Sequence, residues 1–193
     1  MIDNNSKLSI ADLSNPELLN YFRDNTNNVV IPENNVQQSW WFVKNIGGVL
    51  RINPSFKQSH TELAAGYYLL LYKLSFLTLE FLSDSDIIDL IQNHIAKAFE
   101  LPSWFDLWGK LRLILVSRYE TESRDGFKTK VREAMELNNE RLTETNINRV
   151  GERVEGTVSN WINDYRVYVG NNSETETLRV AEYFTSAQNT KLL

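Results

Sequence analysis

Thr61–Leu82, TELAAGYYLLLYKLSFLTLEFL, is the stretch whose reading decides how this chain folds. Leu63, Ala64, Tyr67, Leu70, Leu71, Leu74, Leu77, Leu79 and Phe81 cover nearly the whole circumference of a 3.6-residue helix. A helix that is apolar all round belongs in the middle of a core or in a bilayer. The length suits a membrane span. Lys73 and Glu80, however, each cost up to ~3 kcal/mol inside a bilayer, and no positively charged flank sets a topology. The reading is therefore a central buried helix with no membrane partner, opened by Ser59-His60-Thr61-Glu62 as a capping box.

Working outward, Ser14-Asn15-Pro16-Glu17 opens a helix with a cap, a first-turn proline and an early carboxylate. Leu18, Leu19, Tyr21 and Phe22 supply its apolar side, and the run Asn25 to Asn28 ends it. After an extended connector at Val29–Pro32, a second helix is expected from Glu33 to about Asn45, stopped by Gly47-Gly48. Val49–Ile52 reads as an extended linker ending at Pro54. Ser83-Asp84-Ser85-Asp86 caps a helix running to about Glu100. Pro102-Ser103 breaks it and starts another, Trp104 to about Tyr119, expected to be the second heavily buried helix through Trp104, Leu107, Trp108, Leu111, Ile114 and Leu115. The polar run Glu120–Gly126 reads as a boundary or loop, Phe127 to Leu142 as a charged amphipathic helix, and Ser173–Glu176 as the capping box of a last helix. The expected fold is all-α: a single helical domain of roughly seven to nine helices, with a core over 1–119 and a C-terminal part over 120–193 packed on it.

Composition narrows function mostly by exclusion. An apolar fraction of 42% over 193 residues is that of a folded chain. Cysteine is absent, which removes disulfides, zinc-thiolate sites and a thiol nucleophile. Met1 to Lys7 has no apolar region of the kind a secretory signal needs, so a cytoplasmic location is expected. A net charge of −5 argues against indiscriminate binding to nucleic acid or to a membrane surface. His60 and His94 belong to no zinc-protease or di-iron pattern, and Asp84, Asp86 and Asp89 fail the spacing of a calcium loop. No phosphate-binding glycine motif and no nucleophile elbow occurs. The expectation is a protein without catalytic residues, metal or cofactor, and so not an enzyme.

One stretch hints at a partner. Ile147-Asn148-Arg149-Val150-Gly151 runs into Gly156-Thr157-Val158-Ser159-Asn160-Trp161-Ile162, which reads as two short helices joined by a glycine-containing turn. Over about 146–169 it resembles the helix-turn-helix of DNA readers, whose second helix enters the major groove. The motif's spacing puts the turn at Glu152, with Gly151 one place early, and the alternative puts it at Glu155-Gly156. The second choice makes Thr157 the cap of a helix from Val158 to about Val169. The resemblance implies a small nucleic-acid-binding or regulatory accessory protein in which Arg149, Arg153, Thr157, Ser159, Asn160 and Arg166 contact the phosphates or base edges of double-stranded DNA. It requires Arg149, Arg153 and Arg166 to share one exposed face. The rival reading is a helical adaptor or assembly subunit that meets a protein partner through the exposed aromatic and acidic N-terminal half, and it requires an exposed apolar patch instead.

Overall fold

The computed structural model describes residues 7–28, 34–101, 105–144, 146–149, 152–169 and 176–185. Helices supply almost all of the regular structure, so the fold is all-α as expected. Contacts divide it into two compact units. One holds the chain up to Leu90 together with Lys97–Arg118, and the other holds Ile91–Ala96 with the chain from Tyr119 onward.

The first unit is built on the apolar stretch. Helix α1 spans Ile10–Leu13, α2 Pro16–Asn28, α3 Asn34–Ile52, α4 Phe56–Ser59 and α5 Thr61–Leu77. Ala64, Tyr67, Leu70, Leu71, Leu74, Phe76 and Leu77 of α5 are buried, which makes it the spine. It is shorter than its apolar pattern. The Thr78 hydroxyl donates to the Leu74 carbonyl at 2.8 Å, and the chain tightens into a 3-10 turn at Leu79–Phe81. No helix among the described residues is long and apolar enough to cross a membrane. The expected capping box does not form: His60 takes the cap position without a side-chain capping bond, its ring meeting the Ser59 hydroxyl, and Ser59 belongs to the preceding α4. A capping box closes α1 instead, between Ser9 and Asp12.

Helix α2 opens where expected, with the Glu17 N–H donating to Asn15 Oδ1 at 3.0 Å. It lies so close to α5 that a Cβ on Gly66 would come within 2.5 Å of Leu19 Cδ2. Helix α3 departs from expectation by continuing through Gly47-Gly48 to Ile52, so Val49–Ile52 is helical, not extended. The reason is burial. Ile46, Val49 and Leu50 are buried beside α5, and each side chain contributes ~1.5–3 kcal/mol. That outweighs ~1 kcal/mol per helical glycine.

Helix α6, Asp84–Asn93, is capped as expected: the Asp86 N–H donates to Ser83 Oγ at 3.2 Å and the Ser83 N–H to Asp86 Oδ2 at 3.3 Å. It stops at Asn93, and Ile95–Glu100 is 3-10 helix. Helix α7, Leu107–Arg118, is capped by Asp106, whose Oδ1 accepts the Gly109 N–H at 2.9 Å. The expected start at Trp104 lies outside the described residues. The helix also fails to be a second buried spine, because only Leu111 and Ile114 are fully buried.

In the second unit, α8 spans Thr121–Glu136 and absorbs most of the run read as a loop. Polarity there marks an exposed helix face, and the anchor is Phe127, buried and stacked on Tyr119 at 5.2 Å between ring centroids. The helix ends six residues before the expected Leu142. Beyond it the helix-turn-helix is replaced: Ile147–Arg149 is strand β1 and Glu152–Val154 is β2, paired antiparallel. Ile147 stands opposite Val154, Asn148 opposite Arg153 and Arg149 opposite Glu152. The segment carries β-branched residues at 147 and 154, and a two-residue period puts both of these on one face. That face packs with Trp161 and Tyr183. Helix α9, Val158–Val169, begins where the second turn placement put it, with the Asn160 N–H donating to the Thr157 hydroxyl. Helix α10, Glu176–Thr185, packs against α9.

Candidate functional site

The expected nucleic-acid site sits around the start of α9, and its local chemistry is inward. Helix N-termini leave N–H groups without partners. Here the Val158 N–H donates to the Glu140 carbonyl at 3.0 Å and the Ser159 N–H to the Asn138 carbonyl at 2.8 Å. The chain between α8 and the hairpin thus caps α9 with its backbone. Asn138 itself is fully buried. Its Nδ2 donates to the Ile91 carbonyl at 2.7 Å, and its Oδ1 accepts the Glu140 N–H at 2.7 Å. The Glu140 carboxylate accepts the Ala96 N–H at 2.9 Å. Ile91–Ala96 is held in the second unit by these two side chains, an asparagine and a glutamate forty-four and more residues away in sequence.

Of the six expected contact residues, Thr157, Ser159, Asn160 and Arg166 are engaged within the chain. Thr157 is buried, and its hydroxyl lies 3.2 Å from that of Ser159. Ser159 donates to Asn139 Oδ1 at 3.1 Å. The Asn160 amide donates to the Glu155 carbonyl at 3.0 Å. Arg166 pairs with Glu136, whose carboxyl is held below its usual range chiefly by that hydrogen bond. Arg153 is exposed on β2. Arg149 lies on β1 opposite Glu152, and its side chain is outside the described ones. Among the described residues no group of three or more histidine or carboxylate side chains is placed to hold a metal.

The other feature with outward chemistry is α7. Trp108, Leu113 and Val116 are 48%, 70% and 63% exposed. Residues four and eight apart share a helix face, so Trp108, Arg112 and Val116 form one stripe with Gly109 and Leu113 beside it. The opposite side carries the buried Leu111 and Ile114. The three cations of α7 differ in their surroundings. Lys110 lies over the Phe105 ring at 5.6 Å, and Arg118 binds Asp84 and donates to the Glu80 carbonyl at 2.6 Å. Arg112, exposed in the middle of the apolar stripe, has no carboxylate partner among the described residues.

Sequence reasoning missed both features. Asn138 carries a local signal, since an asparagine just past a helix, bonded to the N–H two residues on, is an Asx turn. The α7 face was misread because Trp108 was counted among the buried residues of that helix, whereas it is 48% exposed. Compared with protein-family models, with curated proteins and with solved structures, the chain matches none.

Proposed function

We propose that this chain is a helical protein-binding module, an adaptor or assembly subunit, that meets its partner through the exposed face of α7. The observation that carries the reading is the exposure of Trp108, Leu113 and Val116 together on one arc of a helix whose other arc is buried. Single exposed apolar residues are ordinary, whereas contiguous ones rimmed by polar side chains mark interaction sites. Tryptophan and arginine, both present on this arc, are the residues that most often anchor protein interfaces. A photo-reactive side chain at position 113, in the cell that makes the protein, tests it. The reading expects a discrete adduct at 113 that is lost with Val116→Asp and absent from a control at Glu122. Equal adducts at 113 and 122, or none, would remove it.

Duplex DNA remains a second reading on one observation. The major groove admits a two-stranded antiparallel ribbon as well as a helix, and Arg153 is exposed on such a ribbon. Binding of this kind is driven by counterion release and is strongest at low salt. A fluorescence titration with mixed duplex at low salt decides it: binding weakened by Arg153→Ala favours DNA, and no binding leaves the adaptor.

A further inference from the structure

Resting on the adaptor reading, we infer that the α7 face takes an acidic amphipathic helix from a different protein, whose carboxylate pairs with Arg112. The exposed stripe is apolar, cationic, apolar: Trp108, Arg112, Val116, one helical turn apart, with Leu113 alongside. Gly109 lies on the same arc, with the capping Asp106 carboxylate packed where a side chain would stand. Such a surface asks for apolar anchors at helical spacing with a negative charge between them, the helix-in-groove mode with electrostatic selection added.

Charge decides among occupants. Within Leu107–Arg118 there are three cations and no carboxylate, and the capping Asp106 is already bonded to the Gly109 N–H, in a chain of net charge −5. Arg118 and Lys110 are already engaged with Asp84 and with the Phe105 ring, which leaves Arg112 to select the partner. A second copy of this chain is disfavoured by symmetry. An antiparallel pairing of two α7 helices that sets Trp108 against Val116 puts its two-fold axis at Arg112, so the two guanidinium groups would face each other. Like charges across an interface oppose association. A partner carboxylate at that point removes the conflict.

The test uses the full chain and a displayed library of eighteen-residue helical peptides. Each peptide has a fixed leucine stripe at i, i+3 and i+7, with Glu, Lys, Gln or Ala allowed at the flanking positions. Selection on the native protein is expected to enrich Glu beside the stripe. Selection on Arg112→Glu, an exposed substitution, is expected to enrich Lys there. A chosen Glu peptide should bind the Arg112→Glu variant roughly fivefold or more weakly, and Leu113→Asp should abolish binding. Enrichment of Lys on the native protein, or the same flanking charges on both proteins, would overturn the acidic preference while leaving an apolar docking face. No enrichment over the Leu113→Asp control would overturn the inference. Loss of the cross-link at position 113 would overturn the adaptor reading itself.

Discussion

The two compact units are held together by different kinds of interaction. In the first, side chains of α2, α3 and α5 form a large apolar cluster, and polar groups mostly serve the helix that carries them. In the second, Ile147, Trp161 and Tyr183 form an apolar cluster, and segments distant in sequence are joined in addition by polar side chains. An apolar core tolerates local irregularity, as when α3 continues through two glycines. A polar junction has a fixed number of donors and acceptors, so loss of one member exposes its partners to an unmet desolvation cost.

The sharpest way to break the first unit is to bury a charge in its spine. Leu74→Asp places a carboxylate at a position 5% exposed, at a cost of several kcal/mol. Loss of the folded state by circular dichroism is expected, and retention of the native melting temperature would show that α5 is not the spine. In the second unit Asn138→Ala is the equivalent lesion, although it removes only an amide. The Ile91 carbonyl and the Glu140 N–H lose their partner, so the expected destabilisation is about 2–4 kcal/mol from two unmet groups. Hydrogen exchange should then quicken in 91–96 and at the start of α9, and not in α5. A uniform rise across both units would contradict the local role of Asn138.

Tyr67 tests the first unit more gently. It is fully buried, and its hydroxyl finds no hydrogen-bond partner among the described residues. Burial, assisted by the negative charge of Asp12, pushes its phenol up from 10.0 to about 12. Because the folded-state value is raised, the contribution of the neutral phenol is complete below pH 10. It declines as pH rises toward about 12, where only the unfolded chain gives up the proton. The loss across that window is about 2–3 kcal/mol. Tyr67→Phe should flatten this alkaline decline and leave stability at pH 7 unchanged or higher by about 1 kcal/mol. An unaltered alkaline profile would exclude the phenol as its source. The smallest effect belongs to Gly48, where an added Cβ meets nothing within 4 Å in the middle of α3. Gly48→Ala should raise stability by ~0.5–1 kcal/mol in chemical denaturation. A loss would mean that the chain breaks there after all.

The same contrast explains what was legible in the sequence. Amphipathic period and local caps are properties of neighbours, so the spine, the openings of α2 and α6, and the Thr157 start of α9 could all be read from their own residues. Gly47-Gly48 misled because propensity is a weak prior that tertiary burial overrides. Ile147–Val154 misled because two short segments with few apolar residues, one on each side of a glycine, fit a helical hairpin or a strand hairpin equally well. The junction of Asn138 with Ile91, and of Glu140 with Ala96, was beyond reach, since nothing local records which distant carbonyl or N–H an amide or carboxylate will meet. The candidate site suffered most. Thr157, Ser159 and Asn160 are the small polar residues a DNA-reading helix would offer, and equally the residues a capped helix start uses internally.

The claim on which the functional account depends is that α7 presents a free apolar face, and a pair of substitutions on that one helix tests it. Leu111 and Leu113 are two residues apart, chemically identical, and 4% and 70% exposed. Thermal denaturation of Leu111→Asp and Leu113→Asp, side by side, is the direct measurement. The account predicts that Leu111→Asp loses several kcal/mol by burying an unpaired carboxylate, whereas Leu113→Asp stays within about 0.5 kcal/mol of the native protein. Equal destabilisation by the two would contradict it, because Leu113 would then be covered in the folded chain and no face would remain for a partner.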